Sequence, residues 1–262
     1  MPSKALAFKN RKSLRLAARL DMPENGALRA VALYAHCFTC GKDVKGAFYL
    51  GRTLAAEGVA VLRFDFTGIG GSQGRFGQTT FADSVEDLQD AAAFLAREVE
   101  PPRLLIGHSL GGAAALVAAG DMASIRAVVT IGAPADPAHV LLHFADQRDA
   151  IQAQGEARVV IAGRPFTVGR RFFEDVTEIR LSQVLERLTK PLLVMHAPMD
   201  ETVGIDNAGR IFAAAKHPKS FVSLDRADHL LTRPADAHYA GTLIAAWAAP
   251  YIDAPPGKAR GG

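Results

Sequence analysis

"LLIGHSLGG", residues 104–112, sets a strand-length apolar run directly against a serine bracketed by glycines, Gly107-His108-Ser109-Leu110-Gly111. The stretch that follows, "GGAAALVAAG" at 111–120, reads as a helix. A tight strand-to-helix turn of this kind lifts the serine hydroxyl above a sheet, and the flanking glycines let the backbone close without Cβ clashes. The hydroxyl then sits beside a helix N-terminus, where free N–H groups and the helix dipole favour developing negative charge. The bare G-x-S-x-G pattern also describes a chance glycine-rich turn. The strand before it and the helix after it are what mark Ser109 as a candidate nucleophile.

Working outward, the same alternation extends in both directions. Upstream lie two runs of period two, "ALAFKN" and "SLRLAARL", the expected pattern of half-buried strands at an antiparallel edge. Next come the continuous apolar strand "LRAVALYAH", a helix over "VKGAFYLGRTLAAEG" stopped by Gly58, the strand "VAVLRFDF" and a helix from Phe81 to Glu98. Downstream stand the strands "AVVTIGAP", "PLLVMHA" and "SFVSLD", the helix "IDNAGRIFAAAKH" and a last helix around "ADAHYAGTLIAAWAA". Strands alternating with helices imply right-handed crossovers, hence an α/β fold with a mainly parallel sheet of about eight strands. Residues 135–189 break the rhythm with an apolar-periodic stretch, "AHVLLHFADQRDAIQ", and a hairpin, "ARVVIAGRPFTVG". That insertion is too short for an independent domain, and a small cap over one end of the sheet is expected. One domain is expected over 1–253, with a disordered tail at 254–262, "APPGKARGG".

Composition excludes several classes. The chain of 262 residues is 49% hydrophobic and 22% charged, too apolar for disorder, with a formal charge of only +3. No basic stripe with interleaved aromatics is present, so nucleic acid is not an expected partner. No window supplies the ~20 apolar residues of a membrane span. The opening "MPSKALAFKNRK" lacks an apolar h-region and a small-residue cleavage site, and a cytoplasmic location is expected. "FDFTGIGGSQG" lacks the G-x-G-x-x-G spacing into a helix, and no G-x-x-x-x-G-K-[ST] occurs, so nucleotide binding is not expected.

A serine nucleophile needs a base and an acid, expected in the chain order Ser, Asp, His. Asp200 stands past the end of the strand "PLLVMHA", and His229 follows the strand "SFVSLD". Open α/β sheets place their sites at that carboxyl edge. Asp225 and Asp228 also lie near His229, and His196 reads as a histidine of the core or one supporting the site. The oxyanion formed on attack needs two aimed donors: the Leu110 N–H, just after the serine, and one from the loop after the third strand, where Phe38 N–H is the candidate. That loop, "AHCFTCGKD" at 35–43, holds Cys37 and Cys40. Small buried residues shaping the loop are the favoured reading, a thiol switch is the second, and a zinc site would need His139 and His143 as partners.

The strings "AHCFTCGKD", "VLRFDFTGIGGSQG", "IGHSLGGAA", "TIGAPADPAHV", "AGRPFTVG" and "ADHLLTRPADA" resemble the α/β-hydrolase superfamily, and more narrowly the bacterial hydrolase module often fused to an OsmC-like domain. The resemblance implies the α/β-hydrolase fold and a cytoplasmic serine hydrolase with Ser109, Asp200 and His229 as triad. Cys37 stands where the superfamily usually has glycine. The thiol-dependent peroxide chemistry of OsmC-like domains is not carried over. The expected activity is hydrolysis of short-chain carboxylic esters through an acyl-enzyme, with no metal and no organic cofactor. His36, Cys37, His108, Phe144, Phe166 and Phe172 are expected to line the substrate pocket. A thioesterase or other acyl hydrolase would use the same residues. A homodimer, or a non-catalytic role beside an OsmC-like partner, is left open.

Overall fold

The computed structural model describes residues 2–24, 28–161 and 163–253; the expected tail at 254–262 lies outside them. In chain order the elements are β1 Ser3–Lys9, β2 Arg15–Asp21, β3 Ala30–Ala35, α1 Lys45–Ala56, β4 Val59–Phe64, α2 Phe81–Glu98, β5 Leu104–His108, α3 Leu110–Asp121 and β6 Ala127–Ile131. An insertion follows, with a 3-10 segment Pro137–Gln147, α4 Arg148–Gln154, β7 Glu156–Ile161, β8 Arg164–Gly169, α5 Arg170–Glu178 and α6 Leu181–Arg187. The chain then returns through β9 Leu192–His196, α7 Asp206–Ala214, β10 Lys219–Ser223 and α8 Pro234–Ile252.

Eight strands form one sheet in the order β1-β2-β4-β3-β5-β6-β9-β10. β1 pairs antiparallel with β2, and β2 with β4; every other pairing is parallel. The unbroken apolar runs of β3, β5 and β9 now have their reason. Alternate side chains of one strand enter opposite layers, both dry: Leu105 packs with α2 and α3, while Leu104 and Ile106 pack with α1 and α8. β1 and the outer face of β10 have no such double cover, and their burial is correspondingly partial. α2 begins at a capping box, Thr80 Oγ1 accepting from Asp83 N–H and Asp83 accepting from Thr80 N–H.

The insertion is where expectation and structure part. The apolar-periodic stretch forms a 3-10 segment kinked at Phe144, followed by α4. The hairpin is present as β7–β8, paired outside the main sheet. Two short helices, α5 and α6, occupy residues whose pattern had not marked them as helical. α5 buries only Phe172, Phe173 and Val176. Three contacts on nine residues leave too short a stripe to stand out from sequence.

Candidate active site

The turn between β5 and α3 is tightly held. Ser109 has φ 55° and ψ −129°, a sparsely populated conformation for a residue with a Cβ. Its N–H donates to Ile131 O at 2.8 Å, and Gly112 N–H donates to Ser109 O at 2.8 Å. A Cβ on Gly107 would lie 2.5 Å from Gly112 Cα, and one on Gly111 would lie 2.7 Å from the Ala35 carbonyl oxygen. Strand, turn and helix therefore meet so closely that only glycine fits on either side of the serine.

Asp200, after β9, and His229, after β10, come together at the same sheet edge. His229 Nδ1–H donates to Asp200 Oδ2 at 2.6 Å, while Asp200 Oδ1 accepts the backbone N–H groups of Thr202 and Val203, each at 2.9 Å. Burial alone would raise the Asp200 carboxyl. The bond from His229 and the two backbone donors outweigh it and hold Asp200 below the usual carboxylate range. Gly132, at the end of β6 with φ +58°, leaves the room: a Cβ there would stand 3.3 Å from both Asp200 Oδ2 and His229 Nδ1. Sequence reading missed Gly132, although a glycine ending a buried strand was the available signal.

Three further histidines support this pair and the loop beside it. His108 Nε2–H donates to the His229 carbonyl at 2.6 Å, tying the nucleophile's turn to the His229 loop. Burial, then repulsion from His229, lowers the His108 pKa to about 3, so its ring is neutral. His196 is fully buried, donates from Nε2 to Val203 O at 2.7 Å, and is a core residue beneath Asp200. His36 accepts Phe66 N–H at Nε2, 3.3 Å, and donates from Nδ1 to Cys37 O, 2.7 Å; its pKa is lowered, chiefly by burial.

That last bond aims the loop after β3. The Cys37 carbonyl also accepts Cys40 N–H at 3.2 Å. C=O and N–H point in opposite directions across the trans Cys37–Phe38 peptide, so fixing the carbonyl turns Phe38 N–H away from His36. Because β3 pairs with β5 in register Ala35↔Gly107, this loop runs beside Ser109. Leu110 N–H, first in α3, has no intrahelical acceptor. Further along, Asp65 accepts Lys42 N–H at 2.7 Å, Lys42 Nζ at 2.8 Å and Gly71 N–H at 2.9 Å, and the fully buried Arg63 donates to the Lys42 carbonyl. Cys37 and Cys40, whose readings from sequence are small residues shaping the loop and, second, a thiol switch, are joined as a disulfide across Phe38 and Thr39.

Ser109, Leu110 and His229 open on one cavity of about 520 Å³, within the usual range for small-molecule sites. Of the expected pocket residues, Cys37 lines it, as does Phe38. The others are corrected. His36 and Phe172 border a separate void of about 20 Å³, His108 is buried under His229, Phe144 is buried with its ring 6.3 Å from that of Phe38, and Phe166 packs on Phe76. In their place stand His139, Val140, His143, Ile161, Arg164 and Leu230. Most of these come from the insertion, where no local pattern says which side faces a cavity.

The family model Hydrolase_4, described as serine aminopeptidase, S33, matches residues 40–160. The esterase domain of a Rhodothermus marinus protein is 46% identical, covers 96% of this chain and 100% of its own, and superposes with a TM-score of 0.78. Est1E of Butyrivibrio proteoclasticus, in a structure with ferulic acid bound, has the same fold at 20% identity, 95% and 100% coverage and a TM-score of 0.79. The protein YfhR of Salmonella typhimurium is 24% identical over 220 residues, which are 79% of this chain but 66% of YfhR, so the match spans just under two thirds of that relative. With the fold, the glycine-bracketed serine turn and a relative 46% identical over 96% of this chain in agreement, the chain belongs to the α/β-hydrolase family.

Proposed function

We propose that this hydrolase is a serine esterase acting on short-chain carboxylic esters through an acyl-enzyme at Ser109. The observation that carries the reading is the 2.6 Å Asp200–His229 pair on the cavity that the Ser109 turn faces. A hydroxyl is a weak nucleophile until a base takes its proton during attack. His229 fills that role, with Nδ1–H occupied by Asp200 and Nε2 left to accept. Asp200 is ionised at neutral pH and stabilises the imidazolium as it forms.

Attack by Ser109 Oγ on the ester carbonyl places negative charge on the carbonyl oxygen, which takes Phe38 N–H and Leu110 N–H. Losing one such donor typically costs about 3 kcal/mol of transition-state stabilisation. Collapse of the intermediate expels the alcohol, which receives its proton from His229. Water then repeats the sequence on the acyl-serine, giving up a proton to His229, and the acid leaves with Ser109 restored. Apolar walls from Phe38, Val140, Ile161, Val203 and Leu230 suit a compact acyl group and dampen competition from water.

The test is reaction with a fluorophosphonate probe together with hydrolysis of 4-nitrophenyl acetate and butyrate. The native protein is labelled and turns over both esters, and Ser109→Ala does neither, with kcat down by about 10⁶. Unchanged hydrolysis in Ser109→Ala ends the reading. Faster turnover of 4-nitrophenyl palmitate than of the butyrate would end its short-chain part.

A further inference from the structure

The cavity beside Ser109 has an uneven charge inventory. No aspartate or glutamate is among its described lining residues, and its one permanently charged side chain is Arg164, at the start of β8 in the insertion. His139 and His143 share the wall, their rings 6.4 Å apart, and burial followed by repulsion from His139 lowers the His143 pKa, which leaves Arg164 as the fixed cation. No carboxylate of the described residues pairs with it, whereas Arg11, Arg19, Arg29 and Arg63 each have one.

Arg164 is nevertheless not free to wander. One guanidinium nitrogen, Nη2, donates to the Thr39 carbonyl, next to Phe38 in the loop that supplies the candidate oxyanion donor. The guanidinium carbon stands 5.3 Å from the centre of the Phe166 ring, and Phe166 in turn packs edge-on against Phe76 at 5.3 Å. A guanidinium carries five N–H donors, and the Thr39 bond occupies one. The remainder form a planar fork whose geometry matches a carboxylate or phosphate. A cation held in orientation before a ligand arrives loses less freedom on binding it.

We propose that Arg164 receives an anionic group of the substrate, so that the preferred esters carry a carboxylate or phosphate beyond the apolar section of the cavity. This rests on the esterase reading above and deepens it by naming the substrate class. The anion has two sources, the far end of the acyl chain or the alcohol that leaves. Arg164 is exposed as well as lining the cavity, so its attraction for an anion is open to screening by salt.

Non-hydrolysable amides separate the proposal from catalysis. Calorimetric titration into Ser109→Ala protein uses glutaric acid mono-anilide, with its anion on the acyl side, and 4-acetamidobenzoate, with its anion on the leaving side. The neutral controls are pentananilide and the methyl ester of 4-acetamidobenzoate. One anionic probe is expected to bind on the order of 10- to 100-fold more tightly than its control. Adding Arg164→Gln removes most of that preference, Arg164→Lys retains part of it, and 0.5 M NaCl narrows it. The probe that shows the preference identifies the source of the anion. Equal binding of anionic and neutral probes, or a preference that survives Arg164→Gln, overturns the proposal. Absence of ester hydrolysis by the native protein would instead overturn the esterase reading, and the titration would still decide on Arg164.

Discussion

The Ser109 turn and the insertion face one cavity and are built in opposite ways. The turn is buried except where Ser109 and Leu110 meet the cavity, bounded by glycines with no room for a methyl group and held by backbone bonds to β6 and within α3. The insertion is thinly packed: Leu142 and Val160 are exposed, α5 buries three residues, and the 3-10 segment kinks at Phe144. The frame that positions reacting atoms tolerates almost no change. The layer that supplies the far wall tolerates a good deal, and specificity can vary there without disturbing the chemistry below.

Substitutions sharpen this contrast. The largest effect after Ser109→Ala is expected for Asp200→Asn, which keeps the shape but loses the charge that fixes the His229 tautomer. We expect kcat to fall by about 10⁴ with little change in melting temperature, measured by ester hydrolysis and calorimetry. Gly111→Ala should act on the fold itself, because the new methyl meets the Ala35 carbonyl backbone, which has nowhere to retreat within β3. A loss of about 3 kcal/mol in urea unfolding is expected, and a loss under about 0.5 kcal/mol would show that the turn is looser than described.

A third effect follows from pH. His108 is neutral in the folded chain down to about pH 3 but takes a proton in the unfolded chain near the ordinary histidine value of about 6.5. Between those values the unfolded state binds the extra proton. The stabilisation is therefore whole above about pH 6.5 and is lost as pH falls toward 3, with a slope of up to about 1.4 kcal/mol per pH unit from this group. Urea midpoints measured from pH 7 to pH 4 should fall, and His108→Gln should flatten the fall relative to the native protein. A midpoint independent of pH in that window would contradict the neutral His108. The smallest effect is expected in the insertion: Leu142→Gln, at a site 69% exposed, should shift stability by less than about 0.5 kcal/mol in the same assay.

Much of this was legible because the signals are local. The double-sided burial of β3, β5 and β9 writes itself as unbroken apolar runs, and the two antiparallel strands at the start write themselves as alternation. The serine turn is legible because sterics demand glycine at fixed offsets from Ser109. The pocket wall is not legible. Phe144, Phe166 and Phe172 suggested a lining because they are large and apolar, yet Phe144 and Phe172 pack on Phe38 and Phe166 packs on Phe76, as aromatic residues do in any core. Arg164 and His143 line it instead, and nothing within ten residues of either announces that they share a cavity with Ser109.

The amino-acid order alone thus determined the layered α/β frame, the serine turn, and the succession of serine, aspartate and histidine at strand ends, because each follows from periodicity or from backbone sterics acting over a few residues. Tertiary packing alone decided that Asp200 reaches His229, that the Cys37 carbonyl is held by His36, that Cys37 and Cys40 are bonded, and that Arg164 faces the cavity. Those outcomes depend on how residues far apart in the chain are brought together, and distance through space is not encoded in any short window.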